Sequence, residues 1–225
     1  MNRLVVLASA TLFSVLGCHS NSAKPTRTIA LVDISGSIYP EEVDREFSEM
    51  QKLASTLKRG DELILLPIMG NARNDTPGRI VRLTAPTTRA AFDADIVTFR
   101  RQAGIEIGEM RDWAKRNPAK HTDILGSLDI ASHEIVSTSS TSTELLVLSD
   151  FLEDDGQLNF VTDRALAYSS TAYALAVAQE ERSPLALHNI CISTIRLRSR
   201  DFATLSHARQ TAVDTFWVAI LAPGK

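Results

Sequence analysis

Two kinds of hydrophobic patterning alternate along the chain. From Thr28 to Val32, from Glu62 to Ile68 and from Glu144 to Leu148 the apolar residues run almost unbroken over strand length. After Pro40, Val43, Phe47, Met50, Leu53 and Leu57 recur at steps of three and four, which puts them on one face of a helix. Ile124, Leu128, Ala131 and Ile135 form a second such stripe. A sheet covered on one side alternates apolar and polar residues, whereas unbroken apolar strands between amphipathic helices belong to a sheet buried on both faces. The expected fold class is therefore α/β: a doubly wound, mainly parallel, Rossmann-like sheet with helices on both faces.

Punctuation refines this outline. Pro40 suits a first helical turn, with Glu41, Glu42 and Asp44 near its positive end, and Gly60 stops the helix. Beyond the polar stretch Asn71 to Asp75, Arg79 to Leu83 reads as a shorter strand. From Thr88 to Asn117 helix formers dominate, with one break expected near Gly104; the stretch reads as packed scaffold, or as an insertion, with no assigned chemistry. Thr122 is expected to open the next helix, and Ser137 to Thr143 to form a loop. An Ala-rich helix over 163–181, a strand over 189–197 and a last helix over 201–220, with Trp217 in the core, complete the chain.

The first residues follow other rules. Asn2 and Arg3 precede thirteen largely apolar residues, Leu4 to Leu16, and the run stops at Gly17-Cys18 before a polar stretch. That is a secretory signal pattern, too short for a membrane span of roughly 20 apolar residues. Val15-Leu16-Gly17-Cys18 resembles the lipobox of bacterial lipoproteins, although Leu16 stands where a smaller residue is commoner; an ordinary signal peptide with a chance cysteine is the alternative. The resemblance implies a signal peptide over 1–17, a tether over 18–27 lipidated at Cys18, and a domain over 28–225. It also implies a lipid-anchored place in the cell envelope. His19 and Ser20, with no acidic residue, are similar to the signals of Gram-negative lipoproteins held at the periplasmic face of the outer membrane. With Cys18 lipidated, Cys191 is expected to be a buried, unpaired thiol and no disulfide is expected.

Charge narrows the partners. Lys and Arg number 24 against 27 Asp and Glu, a formal charge of -3, so no basic surface favours nucleic acid. The five histidines have no zinc-ligand spacing, and only His121 lies near candidate chemistry. Glu153-Asp154-Asp155-Gly156 lacks the alternation of a calcium loop and reads as a solvated turn.

The chemistry gathers at element ends. Asp33, Ser35 and Ser37 follow the first strand, Thr122 starts a helix and Asp150 follows a later strand. In an open parallel sheet such positions meet at one edge, where ligands bind outside the strand ends. Asp33-Ile34-Ser35-Gly36-Ser37 resembles the Asp-x-Ser-x-Ser motif of the von Willebrand factor A family, with Thr122-Asp123-Ile124 similar to its threonine segment and Asp150 to its later aspartate. The resemblance covers about Thr28 to Leu221. It implies a metal-ion-dependent adhesion site in which Ser35, Ser37 and Thr122 bind directly while Asp33 and Asp150 act largely through water. Oxygen donors of this kind suit Mg²⁺, with Mn²⁺ or Ca²⁺ as alternatives. The implied partner is a protein whose Glu or Asp completes the coordination, with no small-molecule substrate.

The same residues also suit turns and helix caps, so a metal-free structural lipoprotein remains open. Asp123 fits either a supporting carboxylate or a helix start. The family often has glycines before its threonine and after its last aspartate, where this chain has Lys120-His121 and Phe151. Enzymatic activity is not expected. A phosphoryl hydrolase would want a second carboxylate where Ser35 stands, and neither Ser35 nor Ser37 lies in a Gly-x-Ser-x-Gly elbow.

Overall fold

The computed structural model describes residues 25–90, 93–136, 142–162, 166, 171–181, 187 and 190–221. The expected signal segment, Cys18, most of the expected loop after Ile135 and residues 163–165 lie outside them.

The elements in order are β1 (Thr26–Asp33), α1 (Pro40–Thr56), β2 (Glu62–Ile68), α2 (Ala72–Asp75), a 3-10 turn (Pro77–Arg79), β3 (Val81–Thr84), α3 (Ala94–Arg116), α4 (Ile124–Val136), β4 (Ser142–Ser149), α5 (Ala172–Glu181), β5 (Cys191–Arg196), α6 (Arg200–Thr204) and α7 (His207–Leu221). Thr26 and Arg27, expected in the tether, are already strand. The sheet order is β3-β2-β1-β4-β5. The β1–β2, β1–β4 and β4–β5 pairs are parallel, and only the β3 edge is antiparallel.

β1 lies in the middle, with β2 on one side and β4 on the other, so the direction of winding reverses between β1 and β4. The C-terminal ends of these two strands form the crevice of a doubly wound sheet. The pairing of Val32 with Leu148 makes them level, so the residues that follow emerge side by side.

Two cores cover the two faces. Ala30, Val32, Leu63 and Leu65 pack with Phe47 and Met50 of α1 and with Ala103, Ile107 and Met110 of α3. Ile29, Leu31, Ile64, Leu145 and Val147 point the other way, toward Leu128 of α4, Ala174 of α5 and Phe216 and Trp217 of α7. Side chains alternate across a strand, so each β1 residue serves one core or the other.

Pro40 and the acidic first turn start α1 as expected, and Gly60, at φ 80°, closes the turn behind it. α3 does not break at Gly104. The buried stripe Ile96, Ala103, Ile107, Met110 and Ala114 runs through that point, and Gln51 of α1 donates to the Gly104 carbonyl at 3.2 Å. Burying that stripe outweighs the ~1 kcal/mol a helical glycine costs. Asp123, not Thr122, caps α4: its Oδ1 accepts from Gly126 N at 2.6 Å. The last expected helix is two. Leu205 turns extended, Ser206 Oγ accepts from Arg209 N at 3.3 Å, and Gln210 Nε2 donates to the Phe202 and Leu205 carbonyls at 3.3 Å each, satisfying the interrupted ends.

Cys191 departs from expectation. It is half-buried at the start of β5, and the expectation that it forms no disulfide involves Cys18, which lies outside the described residues. Among the described residues no helix is long and apolar enough to cross a membrane.

Candidate functional site

β1 ends in Asp33, which is fully buried. Its Oδ1 accepts from Ser35 N at 2.9 Å, tightening the chain into a turn, and its Oδ2 accepts from the Ser149 hydroxyl at 2.6 Å. The turn brings Ser35 Oγ within 3.1 Å of Ser37 Oγ, and Ser37 Oγ reaches Asp150 Oδ2 at 3.4 Å. Asp150, 1% exposed, also accepts from Leu152 N at 2.9 Å and from the Ser199 hydroxyl. A polar chain thus runs from Ser149 through Asp33, Ser35, Ser37 and Asp150 to Ser199.

Four of the five expected site residues therefore meet. Thr122 is buried nearby and is held differently: its backbone pairs in both directions with Asp154, at 3.0 and 2.8 Å. Three residues earlier Ala119 bridges to Ser35, which places the Thr122 loop beside the Asp33 turn. Among the described residues, the Thr122 hydroxyl makes no hydrogen bond to the other four.

The electrostatics are uneven. Burial pushes the Asp150 carboxyl up to about 7, with the Asp33 charge adding to the shift. Burial also raises Asp33, against opposing hydrogen bonds from Ser149 and Ser35. Behind them Glu46, on α1 and 1% exposed, has no hydrogen-bond partner on either carboxylate oxygen. It is held well above the ordinary range by burial and then by the charges of Asp33 and Glu42. Among the described residues, no lysine or arginine hydrogen-bonds to Asp33, Asp150 or Glu46. A buried acid without a counter-charge keeps its proton or acquires a cation.

The donor set fits a hard dication. Ligands at neighbouring corners of an octahedron with 2.0–2.1 Å bonds stand about 2.9 Å apart, close to the 3.1 Å between the Ser35 and Ser37 hydroxyls. Ser35, Ser37 and Asp150 could hold such an ion, with Asp33 bracing the turn beneath.

Sequence reading missed Ser149, Ser199 and Glu46. Ser149 adjoins Asp150 at a strand end, so its position was visible and only its role was not. Ser199 caps α6 through Phe202 N at 3.0 Å, and a cap carries no mark of a second task. Glu46 left a signal: it interrupts the apolar face of α1 beside Phe47.

Phe151, standing where glycine is frequent in the resembled family, has φ 65°. Glycine adopts that conformation freely and phenylalanine at a cost of about 1–3 kcal/mol. The compensation comes from α7. Trp217 Nε1 donates to the Phe151 carbonyl at 2.8 Å, and the two rings lie 5.8 Å apart within a cluster containing Phe160 and Phe216.

The expected solvated turn at 153–156 needs correction, because Glu153 is fully buried and its Oε2 accepts from Leu125 N at 3.2 Å. Glu153, Asp123 and Asp155 have carboxylate oxygens within 4.8 Å of one another, near enough to share an ion. They also have local tasks: Asp123 Oδ2 accepts from Ala72 N at 3.0 Å, and Asp155 Oδ1 accepts from Gln157 N and Leu158 N at 2.9 Å each. His121 is exposed and hydrogen-bonds through Nδ1 to Asp154 at 2.9 Å.

The chain is thus an α/β domain with a hydroxyl and carboxylate cluster at its switch point. Solved structures similar to it include von Willebrand factor type A from Catenulispora acidiphila, at 18% identity over 87% of this chain and 43% of that one, TM-score 0.40. Manganese-loaded TRAP protein of Plasmodium vivax matches at 16% identity over 90% and 64%, TM-score 0.45. The conserved hypothetical protein BatB from Bacteroides thetaiotaomicron matches at 14% identity over 76% and 66%, TM-score 0.42. This chain spans less than two thirds of each. No family model and no curated protein matches the sequence. The α/β assignment itself follows from strand order and direction within the chain.

The raised acid has a consequence for stability without added metal. The folded chain keeps the Asp150 proton up to about pH 7, while the unfolded chain releases it near the ordinary value of 3.8. The folded state binds more protons across that window, so this contribution to stability is lost as pH rises through it. In chelator, thermal melting should show the wild type losing stability relative to Asp150→Asn from about pH 4 to about pH 7 and levelling off above that. Parallel pH profiles for the two proteins would contradict the assignment.

Proposed function

We propose that this chain is a divalent-cation-dependent protein-binding module, in which an Asp or Glu of the partner completes the coordination of an ion held at Ser35, Ser37 and Asp150. Asp33 positions the turn, and Thr122 contributes from the adjoining loop. The observation that carries the reading is the meeting of two buried, mutually repelling carboxylates and two hydroxyls at the switch point, with no basic side chain hydrogen-bonded to them among the described residues. A dication supplies the missing charge. Neutral hydroxyl ligands leave it attractive to one further carboxylate, which makes the ion a recognition element. Mg²⁺ is the expected ion, with Mn²⁺ or Ca²⁺ as alternatives. Binding is favoured over catalysis because Ser35 stands where an acid-base carboxylate would be needed.

The competing metal-free reading draws on a specific feature: both Asp33 oxygens already accept hydrogen bonds. Partner capture separates the two. Pull-downs from envelope extracts should lose the partner in excess chelator, and Asp33→Ala should lose it with Mg²⁺ present, each by at least about tenfold, while the fold persists. Capture that is equal in chelator and Mg²⁺, and normal with Asp33→Ala, would favour the metal-free scaffold.

The lipobox pattern supports a membrane tether at Cys18 as part of the same proposal. Cys18 and Cys191 are the only cysteines. A sulfur carrying a thioether lipid cannot also form a disulfide, so lipidation at Cys18 and a Cys18–Cys191 bond exclude each other. Mass spectrometry of the mature protein should find a diacylglyceryl Cys18 at the N-terminus, and Cys18→Ser should leave the membrane fraction. A disulfide-linked peptide pair containing Cys18 and Cys191 would remove the anchor and leave the cation site untouched.

A further inference from the structure

Gly36, exposed at the tip of the Asp33 turn, is held from two sides. Its N–H donates to the Ala119 carbonyl at 2.9 Å, on the loop that leads to Lys120. Its own carbonyl accepts from the Arg200 guanidinium, and Arg200 N donates to the Ser37 carbonyl at 3.0 Å. Arg200, at the start of α6, and Lys120, in the loop before α4, are both exposed and flank the site.

The other basic residues of this rim are matched. Arg198 pairs with Glu42 at 2.6 Å and Glu41 at 3.7 Å, His121 with Asp154 at 2.9 Å, and Arg73 with Asp129 at 3.4 Å. Among the described residues no carboxylate pairs with Arg200 or Lys120. Asp201, which follows Arg200 in the first turn of α6, is the nearest acid in sequence and makes no ion pair with it.

Arg200 differs from an ordinary surface arginine. Tied by its backbone to Ser37 and by its guanidinium to Gly36, it has already lost much of the side-chain freedom that a binding event would otherwise cost. A guanidinium has five N–H donors, so a backbone carbonyl leaves others for a planar anion, and carboxylate is the anion whose geometry matches that fork.

We propose that Arg200 is a carboxylate contact for the partner, which presents an acidic segment with one carboxylate for the cation and a neighbouring one for Arg200. Lys120 adds favourable charge from the opposite side of the turn. This rests on the reading that the Ser35, Ser37 and Asp150 cluster holds a cation.

The test uses purified full chain saturated with Mg²⁺ and two capped glycine-rich peptides, one carrying a single glutamate and the other two glutamates separated by a glycine. Dissociation constants come from NMR shift titration. The two-glutamate peptide should bind roughly tenfold more tightly. Arg200→Gln should remove that advantage and Arg200→Lys should keep part of it, each compared at a Mg²⁺ concentration that saturates that variant, because Arg200 also ties the turn that carries Ser35 and Ser37. Equal affinities in the wild type, an advantage that survives Arg200→Gln, or no binding of either peptide would each overturn the proposal. Failure of the cation reading appears separately, as one-glutamate binding that is the same in Mg²⁺ and in chelator. Melting curves establish that both variants fold, and Arg200→Lys tests the contact with the charge kept.

Discussion

Asp33 and Asp150 end up side by side because β1 and β4 are neighbouring parallel strands in matched register, and the sheet buries both carboxylates where their charges oppose each other. Much of the structure around the switch point accommodates that conflict. Ser149 and Ser35 N hydrogen-bond to Asp33, Leu152 N and Ser199 hydrogen-bond to Asp150, and the Ser35 and Ser37 hydroxyls bridge the gap between them. These bonds relieve the desolvation of each acid without cancelling its charge. Glu46 adds a third acid to the same buried region. A protein stabilised for packing alone would gain by replacing such a group with an apolar side chain.

Packing far from the edge sets its geometry. Phe151 takes a backbone conformation costly for its side chain, and it does so immediately after Asp150, where the direction of the chain fixes the carboxylate. The indole of Trp217 and the surrounding aromatic cluster hold it there. α7 is therefore an energetic support of the site as well as a cover for the sheet. From the other side, the loop between β5 and α6 clasps the Asp33 turn: Ile38 bridges Ser199, Tyr39 N donates to the Arg198 carbonyl, and Arg200 binds Ser37 and Gly36.

The alternation of apolar strands and striped helices was enough to read the fold class, because a sheet buried on both faces imposes that pattern on every strand. The site was legible for a related reason: Asp33, Ser35, Ser37 and Asp150 all lie at strand ends, where topology brings distant residues together. Thr122 shows the limit of this logic. Its place near the site was predictable, whereas its hydroxyl does not join the hydrogen-bonded chain and its expected capping role falls to Asp123. The misread stretches share one cause, competition between local preference and tertiary contact. Gly104 reads as a break until the buried stripe of α3 is seen packed against α1, and Glu153 reads as solvated until α4 packs over it. Trp217 was legible as core, whereas its hydrogen bond to the Phe151 carbonyl and that of Ser199 to Asp150 left no signal because the partners are distant in sequence.

The central claim is that the buried acids at the switch point are completed by a dication that displaces their proton. Isothermal calorimetry of Mg²⁺ binding, run near pH 6 in buffers of different ionisation enthalpy, measures ion binding and proton release together. The account predicts saturable binding with protons released to the buffer, and Asp150→Asn losing the proton release along with much of the affinity. No heat of binding in any buffer, or binding with no proton release that persists in Asp150→Asn, would contradict it.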